Sequence, residues 1–314
     1  MPLTSLTDNL LFGLSERQRD AVTHIDGPLL IIAGPGSGKT RVMAHRVAYL
    51  IGVTGVPPWK ILAVTFTNKA ARELLERCER LVGSGSNELQ VRTFHGFCSR
   101  VLRSDGENVG LKSDFTIYDP DDQARVTRRI LEDIDIDPKQ FPPRSVLGVI
   151  SDAKNNLQSP EHLSKRTETY RDEVISRIYE AYEASLLRAN AVDFDDLLLK
   201  TYTLLEGHPE MLEKYQQRFE HLLVDEFQDT NPLQFQVARL LALKSRNICV
   251  VGDPDQSIYS WRHADPSNLT DFQSTFNETK IVTLDQSYRS TQIILEAADS
   301  VIGNNDERME KNLW

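Results

Sequence analysis

The chain has 314 residues, of which 40% are hydrophobic and 26% are charged, as in a soluble globular protein of one large domain or two ordinary ones. Its longest apolar stretches, such as 61–64, have the length of a strand and fall far short of the roughly 20 residues that a membrane-spanning helix needs. The net charge of −10 is only weak evidence against a nucleic-acid partner, because a local groove can differ in charge from the whole chain.

Two further features indicate a cytoplasmic protein with no membrane partner. The three cysteines, Cys78, Cys98 and Cys249, are odd in number and far apart, which favours reduced thiols. Residues 1–11 lack the basic start and apolar block of a secretory signal. His95 has a spacing from Cys98 that would suit a zinc site, but no second pair of ligands follows.

A glycine-rich loop follows the first apolar run, 29–32. Residues 33–40 read A-G-P-G-S-G-K-T and lead into a predicted helix, Arg41 to Ile51. In a strand–loop–helix of this kind the loop N–H groups and the positive helix end face phosphate oxygens, the lysine adds charge, and the hydroxyl ligates Mg²⁺. The sequence therefore predicts a nucleotide site formed by Ala33, Gly34, Gly36, Ser37, Gly38, Lys39 and Thr40.

Short apolar strands alternate with helical patterns on both sides of a long middle segment. Before that segment we predict strands at 29–33, 60–65 and 89–93, and helices at 40–51, at 68–81 and from Phe94. After it we predict strands at 221–224, 247–251 and 280–284, and a helix from Ser290. Such alternation predicts an α/β fold, with a parallel sheet covered by helices.

The middle segment, 111–207, has almost entirely helical periodicity, with its longest predicted helix at 172–188. We interpret it as a helical domain inserted into the α/β domain. Asp193, Asp195 and Asp196 resemble a metal cluster at first sight. The favoured interpretation is that one of them caps a helix beginning near Leu197 while the others favour its positive end.

Carboxylates end the strand at 221–224. In a phosphate-loop enzyme, an acid at the end of a neighbouring strand holds Mg²⁺ opposite the loop, and Asp225 fits that position. Glu226 is placed to take a proton from a water molecule and to direct that water at the γ-phosphate. The alternative is an ordinary junction between a strand and a turn. The phosphate loop upstream makes this alternative less favoured.

The strand at 247–251 also ends in a polar turn, where Gln256 is placed to sense the γ-phosphate. Tyr259 and Trp261 follow within five residues, and Arg262 lies beside them. Aromatic side chains beside a polar loop suit the stacking of unpaired bases, although packing in the core explains the same spacing.

Two other strands end in the same way. Phe66 and Thr67 follow the strand at 60–65, and Thr67 also fits a simple helix cap. Thr93 and His95 follow the strand at 89–93, although a lone histidine is more often a hydrogen-bonding residue than a ligand contact.

In this order the segments resemble the first half of a superfamily 1 DNA helicase of the UvrD/PcrA/Rep type, over nearly the whole chain. The matching segments are L-S-E-R-Q-R at 14–19, the phosphate loop, V-T-F-T-N-K-A-A at 64–71, R-T-F-H-G-F at 92–97, N-A-V-D-F-D-D-L-L at 190–198, V-D-E-F-Q-D-T at 224–230, V-G-D-P-D-Q-S-I-Y-S-W-R at 251–262 and L-D-Q-S-Y-R-S at 284–290. Two departures are Ala33 at the first loop position and His263, where a small residue is usual.

The resemblance implies an ATP site with Mg²⁺. Gln18 would contact the adenine edge, with Arg41 and Tyr288 on either side of the ring. Lys39 and Thr40 would hold phosphate and Mg²⁺, Asp225 would hold the ion through water, and Glu226 would be the catalytic base. Gln256 and Arg289 would contact the γ-phosphate and couple its loss to movement.

The resemblance also implies a single-stranded DNA site on the same lobe. The implied contacts are Phe66, Thr67, Asn68, Thr93, His95, Tyr259, Trp261 and Arg262. An ATP-dependent helicase of this kind moves 3′ to 5′, acts at junctions between single and double strands in DNA repair or replication, and has repair or replication proteins as partners. The oligomeric state and the particular family member are not implied.

The implied architecture is a RecA-like parallel sheet with helices on both faces, interrupted by an all-helical domain. We expect the first part of the core lobe at 1–110, the inserted domain at 111–212, the second part of the core lobe at 213–280, and the start of a second lobe at 281–314. Because few residues follow Arg289, we expect a fragment that turns over ATP poorly, since an arginine from the second lobe is worth about 10³–10⁵ in rate.

Two other functions fit part of the sequence. A small-molecule kinase would use the phosphate loop but needs a substrate lid and gives no role to Tyr259 and Trp261. A non-enzymatic interaction module would use the helical insertion but gives no role to Lys39, Asp225 and Glu226 together.

Overall fold

The computed structural model describes residues 3–86, 88–165, 169–304 and 314. The strands are Leu29–Ala33 (β1), Ile61–Thr65 (β2), Gln90–Thr93 (β3), Thr116–Ile117 (β4), Ala191–Val192 (β5), His221–Val224 (β6), Ile248–Gly252 (β7) and Lys280–Leu284 (β8). The helices are Leu3–Leu11 (α1), Glu16–Thr23 (α2), Lys39–Gly52 (α3), Asn68–Val82 (α4), Phe94–Asp105 (α5), Pro120–Asp133 (α6), Pro143–Asn155 (α7), Pro160–Ser164 (α8), Tyr170–Arg188 (α9), Phe194–Gly207 (α10), Pro209–Arg218 (α11), Pro232–Ala242 (α12), Asn268–Thr275 (α13) and Gln292–Ile302 (α14).

The chain divides into two compact units. Unit 1 contains the described residues up to Phe94, Glu213–Asn231, and the described residues from Ala238 onwards. Unit 2 contains His95–Leu212 and Pro232–Val237. None of the helices in the described ranges has the length and apolar content needed to cross a bilayer.

Unit 1 is built on a six-stranded parallel sheet in the order β3-β2-β6-β7-β1-β8. All six strands were predicted from the sequence, as was the α/β class, and both predictions are confirmed. Parallel strands are buried on both faces, so they are continuous apolar runs such as L-L-I-I-A in β1. The carboxyl ends of these strands, where the polar residues follow, share one edge of the sheet.

The core of unit 1 joins β1 to the helix that follows it. Leu29 and Ile31 of β1 pack with Val42 and Val47 of α3, and Val251 of β7 belongs to the same buried cluster. This packing fixes α3 against the sheet. The loop between β1 and α3 is therefore anchored at both of its ends.

β8 is the edge strand of this sheet and pairs with β1 from Lys280 to Leu284. The predicted boundary at residue 280 therefore cuts through a strand of the first lobe. The sequence did not show this boundary correctly, because an apolar run of five residues does not reveal which sheet the strand will join. The other predicted domain limits stay predictions.

Unit 2 is helical apart from one short parallel pair, β4 with β5. Strands of two residues each are too short to show a period of two, which is why the sequence predicted helices alone. The core of unit 2 includes Leu131, Ile150, Ile178 and Tyr182.

The acidic run of unit 2 caps a helix, as the sequence predicted. Asp193 is the N-cap of α10, where its side chain accepts from the backbone N–H of Asp196 at 2.8 Å. The helix begins at Phe194, three residues earlier than expected, because Asp193 and Asp196 form a reciprocal capping box.

Candidate functional site: a phosphate cleft and an aromatic cluster

The phosphate loop runs from the end of β1 to the first turn of α3. Gly36 and Gly38 have φ angles of +77° and +91°, which glycine adopts without the clash that a side chain would bring. The Ser37 hydroxyl donates to the Gly34 carbonyl oxygen at 2.7 Å and closes the turn. Lys39 is the first residue of α3, so its ammonium group and the positive end of the helix lie at the same place.

A distant segment, 287–289, lies directly against this loop. The backbone N–H of Tyr288 donates to the Gly36 carbonyl oxygen at 3.0 Å, and the Ser287 hydroxyl donates to the Pro35 carbonyl oxygen at 3.0 Å. A Cβ atom added at Gly36 would lie 2.5 Å from the Cβ of Arg289. Glycine is therefore required here for a close approach as well as for its φ angle.

Together the loop and this segment line an open cleft of about 420 Å³. Four cationic side chains and one carboxylate line it, so the cleft suits a polyanion such as a triphosphate. Its lining residues are Pro35, Gly36, Ser37, Gly38, Lys39, Thr40, Arg41, Arg77, Glu226, Gln256, Tyr288 and Arg289. Arg77, on α4, was missed by the sequence analysis because no local pattern marks one arginine of a charged helix.

Gln18 lies behind the loop and does not line the cleft. Its Nε2 donates to the Ser37 carbonyl oxygen at 2.9 Å, and its Oε1 accepts from the Ser15 backbone N–H at 3.1 Å in the capping box of α2. One end of the amide therefore supports the loop, and the other end caps α2. Ala33 and Gly34 also lie outside the lining, and the predicted contact of Gln18 with adenine stays a prediction.

Arg41 and Tyr288 lie on the open side of the cleft, where the sequence predicts the nucleobase. Arg41 donates to the Gly13 carbonyl oxygen at 3.2 Å. The Tyr288 ring is 53% exposed, and its hydroxyl donates to Gln286 at 2.8 Å. Each side chain is thus held by one bond while a large part of the tyrosine surface stays accessible.

The acidic turn after β6 faces the phosphate loop. Lys39 Nζ lies 2.9 Å from Glu226 Oε2. Glu226 has φ +48° and ψ +49°, a left-handed conformation that is unfavourable for a residue with a side chain and that is often found at functional sites. In this structure Lys39, the predicted phosphate ligand, is therefore held by Glu226, the candidate catalytic base.

Two neighbouring carboxyl groups in this turn have raised pKa values. Burial, and then the charge of Glu226, raise the pKa of Asp225 to about 7. The same two causes raise the pKa of Asp229 to about 6. Asp229 Oδ1 is buried and has no hydrogen-bond partner among the residues that the structure describes. The turn thus has an excess of buried acid that a cation would relieve.

This donor set fits a magnesium ion. Mg²⁺ prefers hard oxygen ligands and keeps several water molecules, and the site offers the Asp225 carboxylate and the Thr40 hydroxyl. A buried carboxyl with a raised pKa is the group that a divalent cation would stabilise in its charged form.

Gln256 lines the cleft from the turn after β7. Its Nε2 donates to an oxygen of Asp253, the buried residue that caps this turn. The turn then continues into the segment that carries Tyr259 and Trp261.

An aromatic cluster stands at the same edge of the sheet. The rings of Phe66 and Tyr259 are stacked, with centroids 5.0 Å apart and planes inclined by 28°. The centroids of Tyr259 and Trp261 are 6.0 Å apart, and Trp261 is 67% exposed. Burial in the core is excluded for Trp261, so the alternative of core packing fails for this residue.

The remaining predicted DNA contacts are placed as follows. Thr67 is the N-cap of α4, accepting from the Ala70 backbone N–H at 3.1 Å, and Asn68 is exposed in the first turn. Thr93 ends β3. The backbone of Arg262 ends a short 3₁₀ helix, while its side chain lies outside the described part of the chain.

In unit 2, His95 makes an edge contact with Phe194, with ring centroids 5.9 Å apart. Burial lowers the pKa of His95, so the imidazole is neutral at neutral pH. Phe194 is 48% exposed and was missed by the sequence analysis. The available signal was an aromatic residue between acids in V-D-F-D-D.

A glycine-rich loop after β1, a facing acidic turn after β6 (225–229) and a polar turn after β7 (253–257, here named the sensor turn) together define a RecA-like lobe with a phosphate-loop motif. The chain belongs to the UvrD/REP helicase N-terminal domain family, whose model matches residues 14–277.

Curated relatives agree with this assignment. The chain is 48% identical over 309 residues to the ATP-dependent DNA helicase PcrA of Bacillus subtilis, covering 98% of this chain and 42% of the relative. It is 47% identical over 305 residues to the PcrA helicase of Staphylococcus aureus, covering 97% and 42%. It is 46% identical over 308 residues to that of Leuconostoc citreum, covering 98% and 41%. The chain thus spans about 42% of the length of these relatives.

Proposed function

We propose that the chain is the ATP-binding lobe of an ATP-dependent DNA helicase that moves 3′ to 5′ along single-stranded DNA. The observation that carries this proposal is the aromatic cluster, stacked at Phe66 and Tyr259 and exposed at Trp261, which follows strands of the same sheet as the phosphate loop. The names of the relatives support the activity. Polarity rests on the resemblance alone.

In the proposed reaction the triphosphate replaces Glu226 as the partner of Lys39. The β- and γ-phosphates lie over the loop N–H groups, and Arg289 and Arg77 approach from the two walls of the cleft. Arg41 and Tyr288 hold the base between them. Release from Lys39 leaves the Glu226 carboxylate free to accept a proton.

Glu226 then takes a proton from the attacking water as the water oxygen bonds to the γ-phosphorus, while the bond from that phosphorus to the bridging oxygen of the β-phosphate breaks and ADP leaves. Thr40 and Asp225 would hold Mg²⁺, which neutralises charge on the phosphate oxygens. Gln256, at the mouth of the cleft, contacts the γ-phosphate and is the first residue of the sensor turn to lose a partner when that phosphate leaves.

The DNA strand lies on Phe66, Tyr259 and Trp261, which stack on bases without reading their sequence. Thr67, Asn68, Thr93 and Arg262 contact the sugar–phosphate backbone. His95 contacts the sugar–phosphate backbone as well.

The remaining proposals concern the whole protein. We infer that the whole protein acts on junctions of single- and double-stranded DNA and has repair or replication proteins as partners. We also infer a cytoplasmic location, in keeping with the three buried free cysteines. We also propose that the chain after β8 leads into a second lobe, which would cover the exposed Ile293 and Val301 of α14. An arginine from that lobe would complete the cleft, so we expect slow ATP turnover by this chain alone.

Two variants of the chain test the proposal by ligand binding. Lys39→Ala is expected to abolish binding of a non-hydrolysable Mg–ATP analogue in calorimetry, whereas Lys244→Ala, at an exposed ion pair, should bind normally. Trp261→Ala is expected to weaken binding of a 16-nucleotide oligothymidylate by about 5- to 150-fold, since stacking contributes about 1–3 kcal/mol per base.

Trp59→Ala is the matched control for the DNA arm, because Trp59 is also exposed but precedes β2 at the opposite edge of the sheet. Equal DNA binding by the Trp261 and Trp59 variants, or normal nucleotide binding by Lys39→Ala, would refute the proposed function.

A further inference from the structure

Gln228 lies between the acidic turn and the sensor turn, and its side-chain amide is bonded to both. The amide is buried, and its Nε2 donates to Glu226 Oε2 at 3.0 Å and to Asp229 Oδ2 at 3.2 Å. Its Oε1 accepts from the Asp253 backbone N–H at 2.9 Å. One side chain thus joins the candidate catalytic base to the first residue of the turn after β7.

The close approach of the two turns depends on the absence of a side chain at Gly252. A Cβ atom there would lie 2.9 Å from Gln228 Oε1 and 3.3 Å from the Gln228 backbone nitrogen. The sensor turn is bonded to this residue a second time, through the Ser257 hydroxyl and the Gln228 carbonyl oxygen at 3.4 Å. The packing is therefore built around the glutamine.

Hydrogen bonds extend from this link to Lys39 on one side and to Gln256 on the other. Lys39 in the phosphate loop donates to Glu226 Oε2, the same oxygen that accepts from Gln228. Asp253 accepts from the Gln256 amide, which lines the cleft. Tyr259 and Trp261 follow three and five residues after Gln256.

We propose that Gln228 is a positioning residue that couples the occupancy of the phosphate cleft to the aromatic cluster. A triphosphate that binds Lys39 removes one of the two donors on Glu226 Oε2. The carboxylate then moves to its catalytic position, and the bonded amide of Gln228 moves with it. Because the other end of the amide holds Asp253, the turn that carries Tyr259 and Trp261 shifts as well.

Glutamine is suited to this link because one amide supplies both donors and an acceptor. Gln228→Met keeps the length of the side chain and removes both functions. Gln228→Leu also removes both functions, with a shorter side chain. Both variants break the bond to Glu226 and the bond to the sensor turn.

The inference rests on the proposed function and is tested by linkage in the full chain. The affinity for a labelled 16-nucleotide oligothymidylate is measured with and without a saturating non-hydrolysable Mg–ATP analogue. The ratio of the two affinities is the coupling factor, and we expect about 5-fold or more in either direction for the unchanged chain, as is typical of coupled sites. A variant that merely weakens the fold lowers both affinities and leaves this ratio in place.

We expect the coupling factor to fall below about 2-fold in both Gln228 variants. Gln273→Met is the matched control, since the Gln273 amide is bonded only locally to the Leu269 carbonyl oxygen, and it should keep the coupling of the unchanged chain. If Gln228→Met does not fold, Gln228→Leu decides the question alone.

Coupling that persists in a folded Gln228 variant would overturn the inference while leaving the proposed function intact. An unchanged chain that binds both ligands without any coupling would also overturn it. Failure of the unchanged chain to bind either ligand would refute the proposed function itself, and the inference with it.

Discussion

Lys154 of α7 is the buried ion-pair centre of unit 2. Its ammonium group is fully buried and lies 2.8 Å from an oxygen of Asp193, 2.7 Å from one of Asp196 and 2.7 Å from one of Glu183. Burial opposes its charge, but the carboxylates outweigh burial and raise the pKa of Lys154 well above its ordinary value. The Tyr182 hydroxyl donates to Asp193 at 3.1 Å and completes the cluster. The cluster joins α7, α9 and α10.

Lys154→Met is expected to destabilise the chain by about 3–5 kcal/mol at neutral pH, because it leaves buried carboxylates without their cation. Burial, and then the charge of Asp193, already raise the pKa of the Asp196 carboxyl, which the charge of Lys154 opposes. Without that cation the pKa rises further, so the variant regains stability as the pH falls and Asp196 takes up a proton. In the unchanged chain a lysine with a raised pKa stabilises the fold at all pH values below its unfolded pKa, and this contribution is lost only at alkaline pH.

The assay is urea unfolding of the full chain followed by circular dichroism at pH 5.5 and pH 8. Hydrogen exchange in α7, α9 and α10 locates the loss of stability in unit 2. Lys139→Met is the control, since Lys139 is exposed in the same unit. A loss below about 0.5 kcal/mol at pH 8, or a loss that grows as the pH falls, would refute the reasoning.

Three further predictions concern unit 1. Because burial raises the pKa of Asp225 to about 7, affinity for the Mg–ATP analogue should fall by up to tenfold per pH unit below pH 7 and level off above pH 7. The same raised pKa makes the contribution of Asp225 to stability decline as the pH rises from about 4 to 7. Calorimetry that shows no pH dependence of nucleotide affinity between pH 5.5 and 8 contradicts the affinity prediction. Gly36→Ala should lower nucleotide affinity at least fivefold, because the added Cβ clashes with Arg289. The control is Gly55→Ala, at φ +75° with open space around it, which should keep full affinity. Equal nucleotide affinities of the two variants would exclude the clash. His263→Gly should raise the unfolding free energy by about 0.5–1 kcal/mol, because His263 has φ +62°, and an unchanged or lower melting temperature would count against it.

Much of unit 1 is predictable from the sequence because most of its parallel strands are apolar runs with polar residues at one end. This pattern by itself predicts that Lys39, Asp225, Glu226 and Gln256 lie at one edge of the sheet. The aromatic cluster is predictable for the same reason, since Phe66 and Tyr259 each follow the end of a strand.

Other features depend on contacts between segments that are distant in the chain, which local patterns do not carry. The supporting role of Gln18 is visible only through its bond to Ser37, 19 positions away. Gln228 is part of a matched motif, but its position between two turns depends on the register of β6 with β7. No local pattern in the sequence indicates the buried role of Lys154, because its carboxylate partners lie about 30 to 40 residues further along the chain.

Hydrogen exchange with mass spectrometry tests the central claim most directly, which is that one lobe carries separate sites for a triphosphate and for unpaired bases. We predict that the Mg–ATP analogue slows exchange in 34–41 and that oligothymidylate slows exchange in 66–68 and 257–263. Protection of none of these segments by either ligand, or protection of the phosphate loop alone by both, would contradict the account.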